Sequence, residues 1–197
     1  MKNWKAKMFN KKAAHTKNKS DRIIEVIGLK AGQTIADIGA GGGYFTLKFA
    51  EIVGGKGIVY AIDTNPKFLK FIKDNAKEKG LDNIVTILTK DKFDLPENSL
   101  DFIFLRNVTH HLSDRVKYFT NINSFLKSNG KIAIIEYKKG EKFTFHGLFK
   151  HYVPEEDIIH EMEEAGYLLE KRFDFLPEQH FLIFFKTTGM INEYKKC

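Results

Sequence analysis

The sequence predicts an α/β fold in a single domain. Apolar segments of strand length alternate with amphipathic helical segments from about residue 20 to residue 186, and no internal repeat or low-complexity linker interrupts them. Near the end, two apolar runs separated by Leu176-Pro177-Glu178 indicate a hairpin that finishes the sheet. The chain has 197 residues, of which 43% are apolar, so its length suits about one domain and a packed core.

In the first half of the chain, capping and breaking residues mark the ends of the predicted elements. Ser20 and Asp21 can cap a first helix. Pro66 stands in the first turn of a third helix, with Gly80 just beyond its end. The predicted helices span residues 20–29, 44–53 and 66–79, and the predicted strands span residues 34–38, 57–62 and 84–88.

The second half continues the alternation. Ser113 and Asp114 open a helix, and Pro154 and Gly166 bracket another over residues 155–165. The first of these helices carries four apolar residues inward, namely Val116, Phe119, Ile122 and Leu126. The predicted strands span residues 100–105, 131–137, 167–175 and 180–186.

Composition restricts the class of protein. The one cysteine, Cys197, permits no internal disulfide and no cysteine-based metal site. No run approaches the roughly 18 uninterrupted apolar residues of a membrane span, and residues 1–15 lack the apolar core of a signal peptide. We therefore expect a soluble, cytoplasmic protein with no membrane span and no metal.

Basic residues exceed acidic ones, and the excess lies at the ends of the chain. The net charge is +7, with clusters between Lys2 and Lys19 and at Lys195-Lys196. These clusters are not interleaved with aromatic residues along a central element, which disfavours a dedicated nucleic-acid groove. An anionic partner and a merely solubilising surface both stay open. We expect residues 1–19 to form a basic N-terminal segment, either a mobile lid or disordered, before one domain over residues 20–190.

A glycine-rich turn follows the first predicted strand. Asp37, Gly39, Gly41 and Gly43 match the pattern D-x-G-x-G-x-G. The dinucleotide-binding spacing G-x-G-x-x-G fails, because its third glycine would fall on a tyrosine or a threonine. A loop without Cβ atoms at alternate positions lets a ligand approach the backbone closely. A tight strand-to-helix connection without a ligand is the alternative.

The D-x-G-x-G-x-G pattern resembles the first motif of class I S-adenosylmethionine-dependent methyltransferases. The resemblance implies a Rossmann-like sheet of seven strands, parallel except for an antiparallel last strand, flanked by helices. It also implies S-adenosylmethionine as cofactor, bound at the carboxyl ends of the strands. Asp37, Gly39, Ala40, Gly41 and Gly43 then belong to the predicted cofactor site.

Two further acidic positions fit this cofactor. Asp63 ends the second strand 20 residues after Gly43, where a carboxylate can accept hydrogen bonds from a ribose diol. Asp63 could instead only cap the next helix, in a cap-rich stretch that includes Thr64. In the resembling enzymes an acid after the third strand accepts from the adenine amino group. Asp91, followed by Lys92, fits that position best.

The adenine assignment leaves alternatives open. A different registration places Thr89 at that position, and Asp94 or plain solvated charge are further possibilities. Thr64 and Lys92 are included in the predicted cofactor site beside Asp63 and Asp91.

The loop after the fourth strand carries the second part of the resemblance. Residues 106–114 read Arg-Asn-Val-Thr-His-His-Leu-Ser-Asp, which is similar to the strand-end loop of quinone-biosynthesis C-methyltransferases. The likeness covers about residues 20–137. It places Arg106 and Asn107 beside the cofactor. The loop lacks the Asn/Asp-Pro-Pro-Tyr/Phe sequence of amine-modifying methyltransferases, so a planar nitrogen acceptor is disfavoured.

Methyl transfer from a sulfonium is an in-line displacement that removes a positive charge, so positioning contributes most of the acceleration. A general base is needed only when the acceptor loses a proton. His110 and His111 are the candidates, because histidine titrates near neutral pH. One of them could instead only bond backbone at the head of the next helix. Residues 141–153, with His146, His151 and Tyr152, could line the acceptor pocket or pack on the sheet edge.

We therefore predict a metal-independent methyltransferase acting on a small-molecule acceptor, whose identity and reacting atom stay open, as does the oligomeric state. An RNA methyltransferase is an alternative motivated by the positive charge. A non-catalytic protein that binds S-adenosylmethionine is another, motivated by the uncertain base. A nicotinamide-dependent dehydrogenase is disfavoured by the glycine spacing.

Overall fold

The computed structural model describes residues 4–15, 19–90, 92–139 and 152–187. Contacts divide the chain into two compact units, Met1–Asp94 and Leu95–Cys197. The strands are β1 Thr34–Ile38, β2 Ile58–Asp63, β3 Ile84–Leu88, β4 Leu100–Arg106, β5 Leu126–Tyr137, β6 Tyr167–Phe173 and β7 Gln179–Lys186. The α-helices are α1 Trp4–Ala14, α2 Ser20–Ile27, α3 Tyr44–Val53, α4 Pro66–Glu78, α5 Arg115–Ile122 and α6 Glu155–Glu164.

The seven strands form one mixed sheet in the order β3-β2-β1-β4-β5-β7-β6. The pairings β1–β2, β2–β3 and β4–β5 are parallel, whereas β7 pairs antiparallel with both β5 and β6. This architecture confirms the predicted fold class and the terminal hairpin.

The first unit shows why its residues adopt these elements. The side chain of Asn65 caps α4 by accepting a hydrogen bond from the backbone N–H of Lys67, and Pro66 occupies the first turn. Residues at helical spacing on α4, among them Leu69 and Ile72, are buried against Ala61 of β2. This packing holds the carboxyl end of β2 at the start of α4.

The second unit is built on β5, whose apolar run from Ile132 to Ile135 is buried. Because β5 is flanked on both edges by β4 and β7, it reads as a continuous apolar strand rather than an alternating one. The phenolic O–H of Tyr167 at the start of β6 donates to the backbone carbonyl of Phe119 in α5, at 2.9 Å.

Two differences from the predicted elements exceed two residues in extent. The helix opened by Asp114 ends at Ile122, and a 3₁₀ turn over Asn123–Phe125 follows it. Leu126, predicted to face inward from that helix, is instead buried at the first position of β5, which begins five residues earlier than predicted. The second difference is α1, an eleven-residue helix that the sequence analysis did not predict.

Among the described residues, no helix is long and apolar enough to cross a membrane.

Candidate functional site

The glycine turn lies between β1 and α3 and needs glycine for its backbone conformation. Gly39, Gly41 and Gly43 have φ values of 73°, 55° and 79°. These values lie in the left-handed region, which residues with a Cβ rarely adopt. The backbone N–H groups of Gly39 and Ala40 donate to the carbonyl of Ile62 in β2, at 2.8 and 3.1 Å. The turn is therefore fastened to the end of the neighbouring strand.

Two glycines of the turn also permit close packing of helices. A Cβ at Gly43 would lie 2.5 Å from Cγ1 of Ile72 in α4. A Cβ at Gly42 would lie 2.3 Å from the carbonyl oxygen of Ala6 and 2.2 Å from Oδ1 of Asn10, both in α1. Close packing is thus a second reason for glycine in this turn, beside the ligand access predicted from the sequence.

Asp37 is buried beneath the turn, with a relative exposure of 3%. Its Oδ2 accepts a hydrogen bond from Oγ1 of Thr46 in α3 at 2.5 Å. Burial raises the pKa of Asp37 to about 7, and the negative charge of Asp63 adds to the rise, while the hydrogen bond from Thr46 opposes it. Asp37 thus links β1 to the first turn of α3.

Asp63, at the end of β2, lies directly against the turn. Its Oδ2 accepts from the backbone N–H of Gly41 at 2.8 Å, and its Oδ1 accepts from the backbone N–H of Asn65 at 2.8 Å. Burial raises the pKa of Asp63, while backbone hydrogen bonds from Gly41, Asn65 and Thr64 oppose the rise. The side chain that caps α4 is Asn65 rather than Asp63.

The carboxylate of Asp63 can accept hydrogen bonds beyond those from the backbone, as the predicted ribose contact requires. Each carboxylate oxygen can accept about two hydrogen bonds, and the backbone N–H groups of Gly41, Asn65 and Thr64 use part of this capacity. Capacity therefore remains for a further hydroxyl donor. Thr64, next in the chain, is exposed.

The other predicted contacts of the first unit lie beyond β3. Asp91 lies outside the described residues. The same is true of His146 and His151, which belong to the predicted acceptor loop of the second unit. Lys92 is exposed, and its backbone carbonyl accepts a hydrogen bond from Oγ1 of Thr89 at 2.5 Å.

In the second unit, the loop after β4 is tied to two strands. Arg106 is the last residue of β4 and is half-buried. The backbone N–H of Asn107 donates to the carbonyl of Ile135 in β5 at 2.7 Å. Its Oδ1 accepts from Nε2 of Gln179 in β7 at 2.6 Å. Asn107 has a φ of 55°, a left-handed conformation that these contacts support.

A buried carboxylate organises the 3₁₀ turn that follows. Glu136, near the end of β5, has a relative exposure of 0%. Its Oε2 accepts from Oγ1 of Thr109 at 2.5 Å and from the backbone N–H of His110 at 3.2 Å. Its Oε1 lies 2.9 Å from Nδ1 of His110 and accepts from the backbone N–H of Tyr137 at 2.8 Å.

This environment keeps Glu136 ionised. Burial by itself raises the pKa of Glu136, but the hydrogen bonds from His110 and Thr109 outweigh it and leave the pKa below its usual range. An ionised carboxylate only accepts hydrogen bonds, so Nδ1 of His110 carries a proton. In the neutral imidazole Nε2 is then the basic nitrogen.

The two histidines of the loop differ in their surroundings. The side chain of His110 is only 6% exposed, whereas His111 is an exposed residue whose ring centroid lies 4.0 Å from that of His110. Sequence reasoning named both histidines but missed Glu136. The available signal was an acid that ends an otherwise apolar run, Ile132 to Ile135, since a lone charge in a buried strand requires a partner.

Comparison with known proteins agrees with this architecture. Residues 29–173 match a family model described as a methyltransferase domain. A solved S-adenosylmethionine-dependent methyltransferase from Aquifex aeolicus aligns with a TM-score of 0.77 and 26% identity, covering 85% of this chain and 89% of that one. These findings define the class as S-adenosylmethionine-dependent methyltransferases, with S-adenosylmethionine as the cofactor.

The chain belongs to the methyltransferase-domain family. It is 30% identical over 131 residues to a ubiquinone/menaquinone biosynthesis C-methyltransferase of Shewanella baltica, covering 66% of this chain and 52% of that one. A protein of the same name from Ectopseudomonas mendocina is 34% identical over 122 residues, covering 59% and 46%. The chain thus spans about half the length of the curated relatives it matches. None of these matches supports the RNA-methyltransferase alternative.

Proposed function

We propose that this protein transfers the methyl group of S-adenosylmethionine to a small-molecule acceptor. The observation that carries the proposal is the contact between Asp63 and the backbone N–H of Gly41, which joins a strand-end carboxylate to a glycine turn in a methyltransferase fold. Asp63 would bind the ribose hydroxyls. The turn residues Gly39, Ala40, Gly41 and Gly43 would lie along the methionine and ribose portions.

The remaining residues of the predicted cofactor site have supporting roles in this proposal. Asp37 would act from below the turn, because its carboxylate is buried and engaged by Thr46. The other proposed cofactor contacts are Thr64, Asp91, Lys92, Arg106 and Asn107. When bound, S-adenosylmethionine would supply an electrophilic methyl group, and both electrons of the broken carbon–sulfur bond would stay on sulfur.

His110 is the proposed proton acceptor. Glu136 holds the Nδ1–H of its ring, so Nε2 would take the proton from the acceptor as the new bond to the methyl carbon forms. Glu136 would stabilise the imidazolium produced, as a buried carboxylate does beside a catalytic histidine. His111 is exposed and its ring lies beside that of His110, so we propose that it lies beside the acceptor without moving the proton.

This arrangement favours an acceptor whose reacting atom loses a proton on methylation. Oxygen, sulfur and ring-carbon nucleophiles all do so, and the curated relatives are named as C-methyltransferases. An acceptor that becomes a permanent cation, such as a tertiary amine, would need no base.

The experiment supplies methyl-labelled S-adenosylmethionine and a cell extract to the full chain. Label should enter the small-molecule and lipid fraction, where the product is identified by mass. The Asp63→Ala variant should transfer no label to this fraction. The Asp74→Asn variant, changed at an exposed helix position, should transfer label as the parent does. Label in nuclease-sensitive polymer would contradict the proposed acceptor class, and cofactor binding without transfer to any fraction would favour the non-catalytic alternative.

A further inference from the structure

The outer face of α1 combines exposed apolar side chains with lysines. Trp4 is 62% exposed and Met8 is 46% exposed. They are four residues apart, so they lie on one face of the helix. Ala6 is fully buried on the other side. The helix therefore turns Ala6 toward the protein and Trp4 and Met8 toward solvent, whereas an ordinary surface helix buries its apolar side.

The charges of α1 have a single sign. Its eleven residues include four lysines and no acid. Lys7 and Lys11 are one turn apart and flank the pair formed by Trp4 and Met8 on one side, and Lys5 and Lys12 flank it on the other. An apolar strip bordered by cations on both sides is the pattern of helices that lie in a lipid headgroup region.

Contacts on the opposite side hold α1 in this orientation. The ring of Phe9 packs edge to face on Phe68 of α4, with centroids 5.6 Å apart. Gly42 of the glycine turn has no Cβ, and Ala6 and Asn10 occupy the space that a Cβ there would fill. The helix is thus fixed by its inner side, and Trp4 and Met8 remain on the outside.

We infer that α1 docks the protein on the surface of an anionic phospholipid bilayer, an interaction beyond methyl transfer itself. Tryptophan favours the headgroup region, and each lysine near an anionic surface contributes about 1 kcal/mol. A nucleic acid would also attract the lysines, but the exposed apolar side chain of Met8 would make no favourable contact with its phosphates. Eleven residues are too short to span a bilayer, so the helix lies in the surface.

Trp4 is the single tryptophan of the chain, so its fluorescence reports directly on this helix. The experiment mixes the full-length protein with vesicles of phosphatidylcholine alone or with one quarter phosphatidylglycerol, and measures emission and co-sedimentation. With anionic vesicles the emission should shift to the blue and the protein should sediment. Both effects should weaken with added salt and be much smaller with phosphatidylcholine.

Matched variants test whether vesicle binding depends on α1 or on exposed apolar side chains elsewhere. Lys7→Gln with Lys11→Gln should weaken vesicle binding by about 25-fold, about fivefold for each lysine, and Met8→Ser should weaken it further. Leu88→Ser removes an apolar side chain of similar exposure, 58%, from β3 and should leave binding unchanged. Unfolding temperatures of all variants should match that of the parent, since none of these side chains is buried.

Three results would overturn the inference. They are equal binding to neutral and anionic vesicles, equal losses in Leu88→Ser and Met8→Ser, and a blue shift with single-stranded or transfer RNA that vesicles do not produce.

Discussion

Replacing Asp37 by asparagine should make the protein more stable above neutral pH. The carboxylate is buried, and its pKa is raised to about 7, mainly by burial. From about pH 4 to pH 7 the folded chain holds a proton at Asp37 that the unfolded chain releases. The free energy of unfolding therefore falls as pH rises through this window. Above about pH 7 the buried carboxylate is charged, and it lowers the free energy of unfolding by its full amount.

The magnitude follows from the difference between the two pKa values. A rise from 3.8 to about 7, at about 1.36 kcal/mol for each pKa unit, amounts to about 4 kcal/mol as an upper value at pH 8. Asparagine keeps an oxygen that can accept the hydrogen bond from Thr46 and removes the charge. The variant should therefore match the parent near pH 4 and exceed it at pH 8.

Urea unfolding of the parent and of Asp37→Asn, each at pH 5 and pH 8 without cofactor, measures this difference. Asp74→Asn is the matched control, because it makes the same chemical change at a side chain that is 60% exposed beside Lys70. It should shift stability little, and equally at both pH values. Parallel pH profiles for Asp37→Asn and the parent would refute the reasoning.

The other predictions concern the two candidate sites. Asp63→Ala should weaken binding of S-adenosylmethionine by about 1.5–3 kcal/mol, the scale of a hydrogen bond to a charged group, and unchanged affinity by calorimetry would remove Asp63 from the cofactor site. Glu136→Gln should lower kcat more than it changes KM, because His110 loses its anionic partner; an unchanged kcat would assign Glu136 a structural role only. Gly43→Ala should lower the free energy of unfolding by about 2 kcal/mol or more, since it forces a Cβ into a positive φ and 2.5 Å from Ile72, and unchanged urea unfolding would contradict the described turn.

Most of the fold could be predicted from the sequence because its signals are local. The strand predicted at residues 84–88 has the same first and last residues in the structure, because polar residues bound its apolar run. The turn could be predicted because the spacing of glycines follows from backbone conformation, and Gly39, Gly41 and Gly43 all have positive φ.

The features that sequence reasoning missed depend on contacts between distant residues. In α1 the buried side chain is Ala6, and a small residue leaves no apolar period to detect. Glu136 is separated from His110 by 26 positions, so only the parallel pairing of β4 and β5 shows that they meet. Leu126 was apolar and buried as expected, but its burial alone could not distinguish a helix end from a strand start.

The hydrogen bond between Asn107 and Gln179 affects how readily the histidine-bearing turn of the second unit unfolds locally. It connects the loop after β4 to the final strand across 72 positions of sequence, and the backbone of Asn107 is also bonded to β5. We therefore expect the histidine-bearing turn to open together with the terminal hairpin. Its amide hydrogens should exchange with solvent at the rate of that hairpin rather than at the faster rate of an independent surface loop.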